Sequence, residues 1–79
     1  MKFYYRTNKK IDKTALIELL NNKIIFNPED VVKLYEANNL LYLITSRNDI
    51  MEEVENLYPG IFKACEKPSE IVKNVIFTN

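Results

Sequence analysis

The chain has 79 residues, enough for one small domain with a modest core. Apolar residues make up 47% and charged residues 28% of it, a composition typical of a folded globular domain and not of a disordered chain. Eleven basic residues balance eleven acidic ones, and this net charge of zero argues against a general binder of polyanions.

The cysteine and histidine content excludes several kinds of chemistry. The chain has one cysteine, Cys65, and no histidine, so an intrachain disulfide and a zinc site of the usual Cys/His kind are both excluded. A serine or cysteine nucleophile would lack its histidine base. No apolar run is long enough to span a membrane. We therefore expect a cytoplasmic protein that is not an enzyme, uses no metal or cofactor and does not enter a membrane.

The N-terminal segment predicts a strand followed by a helix. KFYYRT, residues 2–7, alternates in side-chain type with the two-residue period of a strand. IDKTALIELLNN, residues 11–22, places three leucines on one helical face, and Asp12 is the expected N-cap of that helix.

The next segment predicts a second strand and a second helix. KIIF, residues 23–26, is a short apolar run of strand type. NPEDVVKLYEANN, residues 27–39, carries the start signals of a helix, because Pro28 and two acidic residues follow a capping asparagine. The pair Asn38-Asn39 is the expected end of that helix.

The second half predicts the same alternation of strand and helix. LLYLIT, residues 40–45, is apolar on both faces, as expected of a central strand that is covered on both sides. A helix follows over residues 47–58, with Ser46 as its cap. IFKACE, residues 61–66, predicts a strand, and PSEIVKNVIF, residues 68–77, predicts a closing helix.

The recurring order prompts a comparison of the two halves of the chain. A shift of 38 residues, and then of 40 after two extra residues, brings similar residues together in sequence order. This series has two explanations. One is an old internal duplication, and the other is two independent units with similar caps and apolar stripes. The equivalent pairs include Tyr4 with Tyr42, Thr7 with Thr45, and Pro28 with Pro68.

These elements predict the fold class. We expect one domain over residues 1–79, of the α/β or α+β class, with about four short strands and four helices. Two βαβα units, residues 1–39 and 40–79, would be related by internal duplication, and their helical crossovers favour parallel, right-handed strand pairs. A ferredoxin-like arrangement is the alternative if one short strand or helix does not form.

Two loops, residues 7–10 and 45–48, each follow a predicted strand and precede a predicted helix. Free N–H groups and the helix dipole attract anions at such positions, and an adjacent arginine or lysine adds a charge-assisted contact. Neither loop contains the glycine that phosphate loops use, and a plain helix cap at Ser46 explains the second loop better. The residues of this anion or nucleotide site would be Thr7, Asn8, Lys9, Thr45, Ser46 and Arg47.

Tyrosine content and charge distribution favour a protein interface. Five tyrosines exceed what a small core holds, and tyrosine is a favoured interface residue. Positive charge is concentrated near the N-terminus and negative charge near residues 49–55, which favours head-to-tail association into a homo-oligomer. The leading expectation is a small regulatory or inhibitory protein-protein interaction module with an unidentified protein partner. Its interaction residues would be Tyr4, Arg6, Lys10, Glu52, Glu53 and Glu55.

A third expectation concerns nucleic acid. KFYYRTNKK, residues 2–10, interleaves aromatic and basic residues, as platforms for single-stranded nucleic acid do. A strand with packed tyrosines and solvated lysines gives the same pattern. Because the net charge is zero, nucleic acid ranks below a protein or anion partner.

Part of the chain resembles a known enzyme family. YYRTNKKIDKTALIELL, residues 4–20, looks like the opening strand and helix of GNAT-type acetyltransferases, and residues 27–45 are similar to their next helix and strand. The resemblance is confined to the first half and lacks the glycine-containing acetyl-CoA loop of that family. It therefore implies no activity or cofactor for this chain.

Overall fold

The computed structural model describes residues 1–68 and 74–79, which form five strands and two helices. The strands are β1 (Phe3–Thr7), β2 (Val32–Ala37), β3 (Leu40–Thr45), β4 (Phe62–Ala64) and β5 (Asn74–Thr78). The helices are α1 (Thr14–Glu18), which continues into a π-helical turn over Leu19–Lys23, and α2 (Asn48–Leu57).

The strands form one sheet in the order β4-β1-β3-β2-β5, and every neighbouring pair is antiparallel. Both helices contribute to a single core against one face of this sheet, and the strands β4 and β5 form its two edges. The buried apolar side chains of that core are Leu16, Leu19, Leu20, Val32, Leu34, Leu41, Leu43, Ile50, Val54 and Phe62.

The alternation of buried and half-buried residues along β3 shows that the described helices cover only one face of the sheet. Leu41, Leu43 and Thr45 are buried, whereas Tyr42 and Ile44 point to the other face and are half-buried. The expected covering of this strand on both sides is therefore wrong for the described part of the chain.

The expected fold of four strands and four helices in two βαβα units is wrong. The described residues form a five-stranded antiparallel sheet with two helices, so the predicted parallel strand pairs are also absent from them. The elements β1-α1-β2-β3-α2-β4 follow the order of ferredoxin-like domains, and β5 adds a strand beside β2. Strands expected at 2–7, 40–45 and 61–66 and the helix expected at 47–58 are present as β1, β3, β4 and α2.

The segment 27–39, predicted as a helix, is instead a turn and a strand. The Asp30 side chain accepts a hydrogen bond from the Asn27 N–H at 2.8 Å, and the Asp30 N–H donates to the Asn27 carbonyl at 3.0 Å. This closes a β-turn before β2. Asn38 and Asn39 have φ of 53° and 64°, which the two-residue hairpin loop between β2 and β3 requires.

Two further element predictions are corrected. Residues 23–26 form no strand, because the π-helical turn extends to Lys23 and the chain then runs irregularly to the turn before β2. The helix expected over 68–77 is a strand from Asn74 onward, and its residues 69–73 lie outside the described part of the chain.

The register of β1 and β3 agrees with the residue equivalences of the duplication hypothesis. Tyr5 and Leu43 are 38 positions apart and pair directly with each other. The same shift carries Phe3 to Leu41 and β1 onto β3. The later shift of 40 carries β2 onto positions 72–77 and not onto β4, so the agreement is confined to the first part of the alignment and the duplication stays a prediction.

None of the described helices is both long and apolar enough to cross a membrane.

Candidate interaction surfaces

The structure does not bring together the two loops predicted to bind anions. Thr7 at the end of β1 lies beside Leu41 at the start of β3, whereas Thr45 at the end of β3 pairs with Phe3 at the start of β1. The antiparallel arrangement therefore places the loops 7–10 and 45–48 at opposite ends of the sheet.

Most polar groups of these loops form hydrogen bonds with the protein's own backbone. Thr7 and Thr45 are fully buried, and their hydroxyl oxygens accept the backbone N–H groups of Leu41 at 3.0 Å and Arg47 at 2.9 Å. The hydroxyl of Ser46 accepts the N–H of Val31 at 3.0 Å, so its predicted role as the cap of α2 is wrong.

Two of the predicted site residues in the first loop, Asn8 and Lys9, have exposed side chains. Asn8 donates from its amide nitrogen to the Gly60 carbonyl at 3.3 Å, and this links β1 to the turn before β4. The Lys9 side chain is exposed to solvent.

Arg47 is neutralised by carboxylates of its own chain. Its Nη2 lies 2.6 Å from Asp49 Oδ2, and its Nη1 lies 3.1 Å from Asp30 Oδ2 and 2.6 Å from the Ile25 carbonyl oxygen. The hydrogen bonds that Arg47 donates to the Asp49 carboxylate raise the pKa of Arg47 and lower the pKa of Asp49. An incoming anion would have to compete with both carboxylates, so the anion site stays a prediction without support from this geometry.

A groove runs between α2 and the edge strand β4. Met51, Glu52, Glu55 and Asn56 lie on one stripe of α2, because residues three and four apart share a helical face. Opposite them, Phe62 is buried and Tyr5 half-buried, which gives the groove an apolar floor. We call this the α2–β4 groove, and its residues are Tyr5, Met51, Glu52, Glu55, Asn56 and Phe62.

The outer edge of β4 offers unpaired backbone groups beside that groove. The Asn8 N–H donates to the Ile61 carbonyl at 3.1 Å, and the Cys65 N–H donates to the Tyr4 carbonyl at 2.9 Å. Residues 61, 63 and 65 therefore direct their peptide groups toward β1, and Phe62 and Ala64 direct theirs outward. No other described strand pairs with this edge.

The turn that leads into β4 is fixed by a glycine and a carboxylate. Gly60 has a φ of +72°, a left-handed conformation that side-chain-bearing residues rarely adopt. Its N–H donates to Glu55 Oε1 at 2.8 Å, so Glu55 joins the end of α2 to the start of β4. Glu52 makes no hydrogen bond or ion pair with another described residue, and it supplies an unneutralised negative charge at the groove rim.

The sheet face opposite the helices is positively charged, whereas the rim of the α2–β4 groove is negatively charged. We call it the open sheet face, since no described helix covers it. Glu36 is the only carboxylate in the five described strands, and it points toward the helices, where it pairs with Lys13 at 3.0 Å. The cross-strand register and the side-chain alternation assign to the open sheet face Tyr4, Arg6, Lys33, Tyr35, Ala37, Leu40, Tyr42, Ile44, Lys63, Cys65, Val75 and Thr78.

Cys65 lies at the edge of the open sheet face beside Arg6. Burial raises the pKa of the Cys65 thiol, and the nearby positive charge of Arg6 offsets part of that rise. This half-buried thiol is therefore less reactive than an exposed one at neutral pH.

The six residues predicted to form a protein interface are divided among several surfaces. Glu52 and Glu55 flank the α2–β4 groove, and Tyr4 and Arg6 lie on the open sheet face. The remaining two lie elsewhere: Glu53 faces the space between α1 and α2, and Lys10 is exposed in the loop after β1.

Sequence reasoning missed the apolar floor of the α2–β4 groove. Tyr5, Met51 and Phe62 read as ordinary core positions, because nothing local shows that they lie at a sheet edge. The sequence offered Pro59-Gly60 as a turn before the strand predicted over 61–66, but the shortness of β4, which is typical of an edge, is visible only in the structure.

Comparison of this chain with protein-family models, with curated proteins and with solved structures gives no match. The resemblance of the first half to acetyltransferases thus gains no support, and the structure departs from it at Val32–Ala37, where a strand stands in place of the expected helix.

Proposed function

We propose that this protein is a non-enzymatic protein-binding module that holds an extended segment of a partner as an added strand beside β4. The observation that carries the proposal is the outer edge of β4, with which no strand of residues 1–68 and 74–79 pairs and which lies directly against the α2–β4 groove. Strand addition at an exposed sheet edge uses main-chain hydrogen bonds for affinity and side-chain pockets for specificity.

The groove defines the chemistry of the partner segment. In an added strand, alternate side chains would face α2, where Met51 and Phe62 favour apolar residues. Glu52 and Glu55 at the rim favour a basic residue beside them. A segment in which apolar and basic residues share one face of the strand fits both requirements.

The short length of β4 limits the interaction. Only Phe62 and Ala64 direct backbone groups outward, so an added strand gains about four main-chain hydrogen bonds, each worth roughly 1 kcal/mol net. Such a contact suits a transient interface. A module without catalytic groups acts by occupying its partner's surface, which is why we propose a regulatory or inhibitory role.

A displayed library of unstructured peptides tests this proposal. We expect enriched peptides to carry apolar and basic residues in alternation and to shift the backbone amide NMR signals of Phe62 and Ala64. Calorimetry would then compare Glu52→Lys with Glu53→Lys, a matched charge reversal on another side of the same helix. Glu52→Lys should weaken binding about five-fold or more, whereas Glu53→Lys should leave it almost unchanged.

Two results would contradict the proposal. Equal loss of affinity in both variants would show a long-range charge effect rather than contact with the groove. Enriched peptides that leave the amide signals of β4 unmoved would place protein binding on another surface.

A further inference from the structure

We infer that the open sheet face binds single-stranded nucleic acid, with bases stacked on its tyrosines and phosphates held by its cations. This face lies on the other side of the sheet from the helices that form the α2–β4 groove, and its charge is opposite. The inference therefore stands independently of the proposed function.

Three tyrosines provide the stacking surface. Tyr42 and Tyr35 pair directly across β3 and β2, and Tyr4 pairs with Ile44 on the neighbouring cross-strand row. All three are half-buried, so their rings are anchored in the sheet and still reach solvent. Four-stranded sheets with aromatic side chains on an open face bind single-stranded RNA by stacking two or three bases on those rings.

The positions of the cations on the open sheet face reduce the stability of the fold. Arg6 and Lys63 pair directly across β1 and β4, and like charges in direct opposition destabilise a sheet. Both are exposed, as is Lys33 on β2, and none of the three forms an ion pair with another described residue. A bound phosphate chain would relieve the repulsion between Arg6 and Lys63.

Acidic and basic residues lie on opposite sides of the sheet, so the net charge of zero does not describe the charge of either surface. The helix α2 carries Asp49, Glu52, Glu53 and Glu55 and no basic residue, and it lies on the opposite side of the sheet. Its carboxylates balance the strand cations in the net charge of the chain, but the two groups lie on opposite sides of the sheet. The local surface is therefore basic although the whole domain is neutral.

The position of the rings next to the cations favours nucleic acid over an acidic protein segment. One cross-strand row contains, in order, Lys63, Arg6, Tyr42, Tyr35 and Val75, so two cations lie beside two rings. A single strand of nucleic acid presents planar bases and a charged backbone side by side, which matches this row. An acidic polypeptide would use the cations and leave the rings without planar partners.

Fluorescence anisotropy with labelled single-stranded DNA and RNA 12-mers tests the inference across a series of salt concentrations. Three phosphate contacts predict that log K falls with log salt with a slope of about −2, given roughly −0.7 per contact. Arg6→Gln should lower the magnitude of that slope by about 0.7. Tyr42→Leu should weaken binding roughly ten-fold and leave the slope unchanged, because it removes stacking and no charge.

Lys23→Gln is the matched control, since it removes the same charge from the exposed end of the π-helical turn, on the helix side of the sheet. It should change affinity less than twofold, and circular dichroism should show the native spectrum for every variant. The inference is overturned if neither 12-mer binds at low salt, or if Lys23→Gln weakens binding as much as Arg6→Gln. It is also overturned if an acidic peptide binds and the oligonucleotides do not.

Discussion

The side-chain hydroxyl of Tyr58 accepts a hydrogen bond from the backbone N–H of Leu16 at 3.1 Å. The same hydroxyl donates to the carbonyl oxygen of Asp12 at 2.8 Å. Leu16 lies in the first turn of α1, where backbone N–H groups have no partner within the helix. Asp12, the predicted N-cap, accepts the Thr14 N–H at 2.9 Å, and a tyrosine 42 residues from Leu16 satisfies a further N–H of this first turn from the end of α2.

Tyr58→Phe should lower the free energy of unfolding by about 1–2 kcal/mol, because it leaves the Leu16 N–H and the Asp12 carbonyl without this partner. Urea denaturation followed by circular dichroism measures the change. Tyr35→Phe is the matched control, since the Tyr35 hydroxyl makes no hydrogen bond to a described residue. A loss of the same size in both variants would refute the capping role of Tyr58.

The pKa of Tyr58 predicts a pH dependence of stability. Burial raises this pKa above the ordinary value of 10.0, the Leu16 hydrogen bond opposes the rise, and the charge of Asp12 adds to it. The folded state therefore favours the protonated phenol, so its contribution is complete below pH 10 and is lost as pH rises through the folded pKa. The difference in unfolding free energy between wild type and Tyr58→Phe should stay constant up to about pH 9 and shrink as the pH rises past about 10. A difference that stays constant above about pH 10 would show that Tyr58 has the same pKa in both states.

Thr7 joins the two central strands through a fully buried hydroxyl. Thr7→Val keeps the shape of the side chain but leaves the Leu41 N–H without an acceptor, which should cost about 1–3 kcal/mol. Thr7→Ser keeps the hydroxyl and loses only a methyl group, at about 1 kcal/mol. Thermal and urea unfolding of the two variants would rank them. Greater stability of Thr7→Val than of Thr7→Ser would mean that packing, and not the hydrogen bond, determines this position.

The sequence predicted α2, β1 and β3 because local and tertiary preferences agree there. At Val32–Ala37 they conflict: Pro28, Glu29 and Asp30 are strong local helix-start signals, yet the burial of Val32 and Leu34 against the core favours a strand. The signal that would have resolved the conflict is Asn38-Asn39. Two residues that tolerate positive φ between apolar runs indicate a hairpin, and the same pair also resembles a helix end.

The candidate surfaces were predictable only in part. The sequence predicted Tyr4, Arg6, Glu52 and Glu55 as interaction residues, since tyrosines and clustered charges are visible without a fold, and that role stays a prediction. It did not place Lys33 in one cross-strand row with Tyr4 and Ile44, because that arrangement depends on the strand order β1-β3-β2. Register across three strands is non-local information, and a one-residue error in it reverses every side chain.

Arg47 should contribute to stability rather than to ligand binding. The Asp30 side chain is only 9% exposed, so Arg47→Met would leave a nearly buried carboxylate without its counter-ion and should cost about 1–3 kcal/mol. Asp49→Asn is the control, and its effect should be small because the Asp49 side chain is 61% exposed. Urea unfolding measures both effects. If added phosphate shifts the NMR signals of wild type and not those of Arg47→Met, the result would instead support the predicted anion site.

The outer edge of β4 can be blocked without disturbing the sheet. The Ala64 N–H points away from β1, so Ala64→Pro removes a donor that the described ladder does not use, and proline is tolerated on edge strands. We expect a change in unfolding free energy within about 1 kcal/mol and loss of peptide binding at the α2–β4 groove. Ala64→Ser keeps the N–H and should bind as wild type does. Binding that survives Ala64→Pro in a folded protein would rule out strand addition and leave the groove side chains as the only contacts.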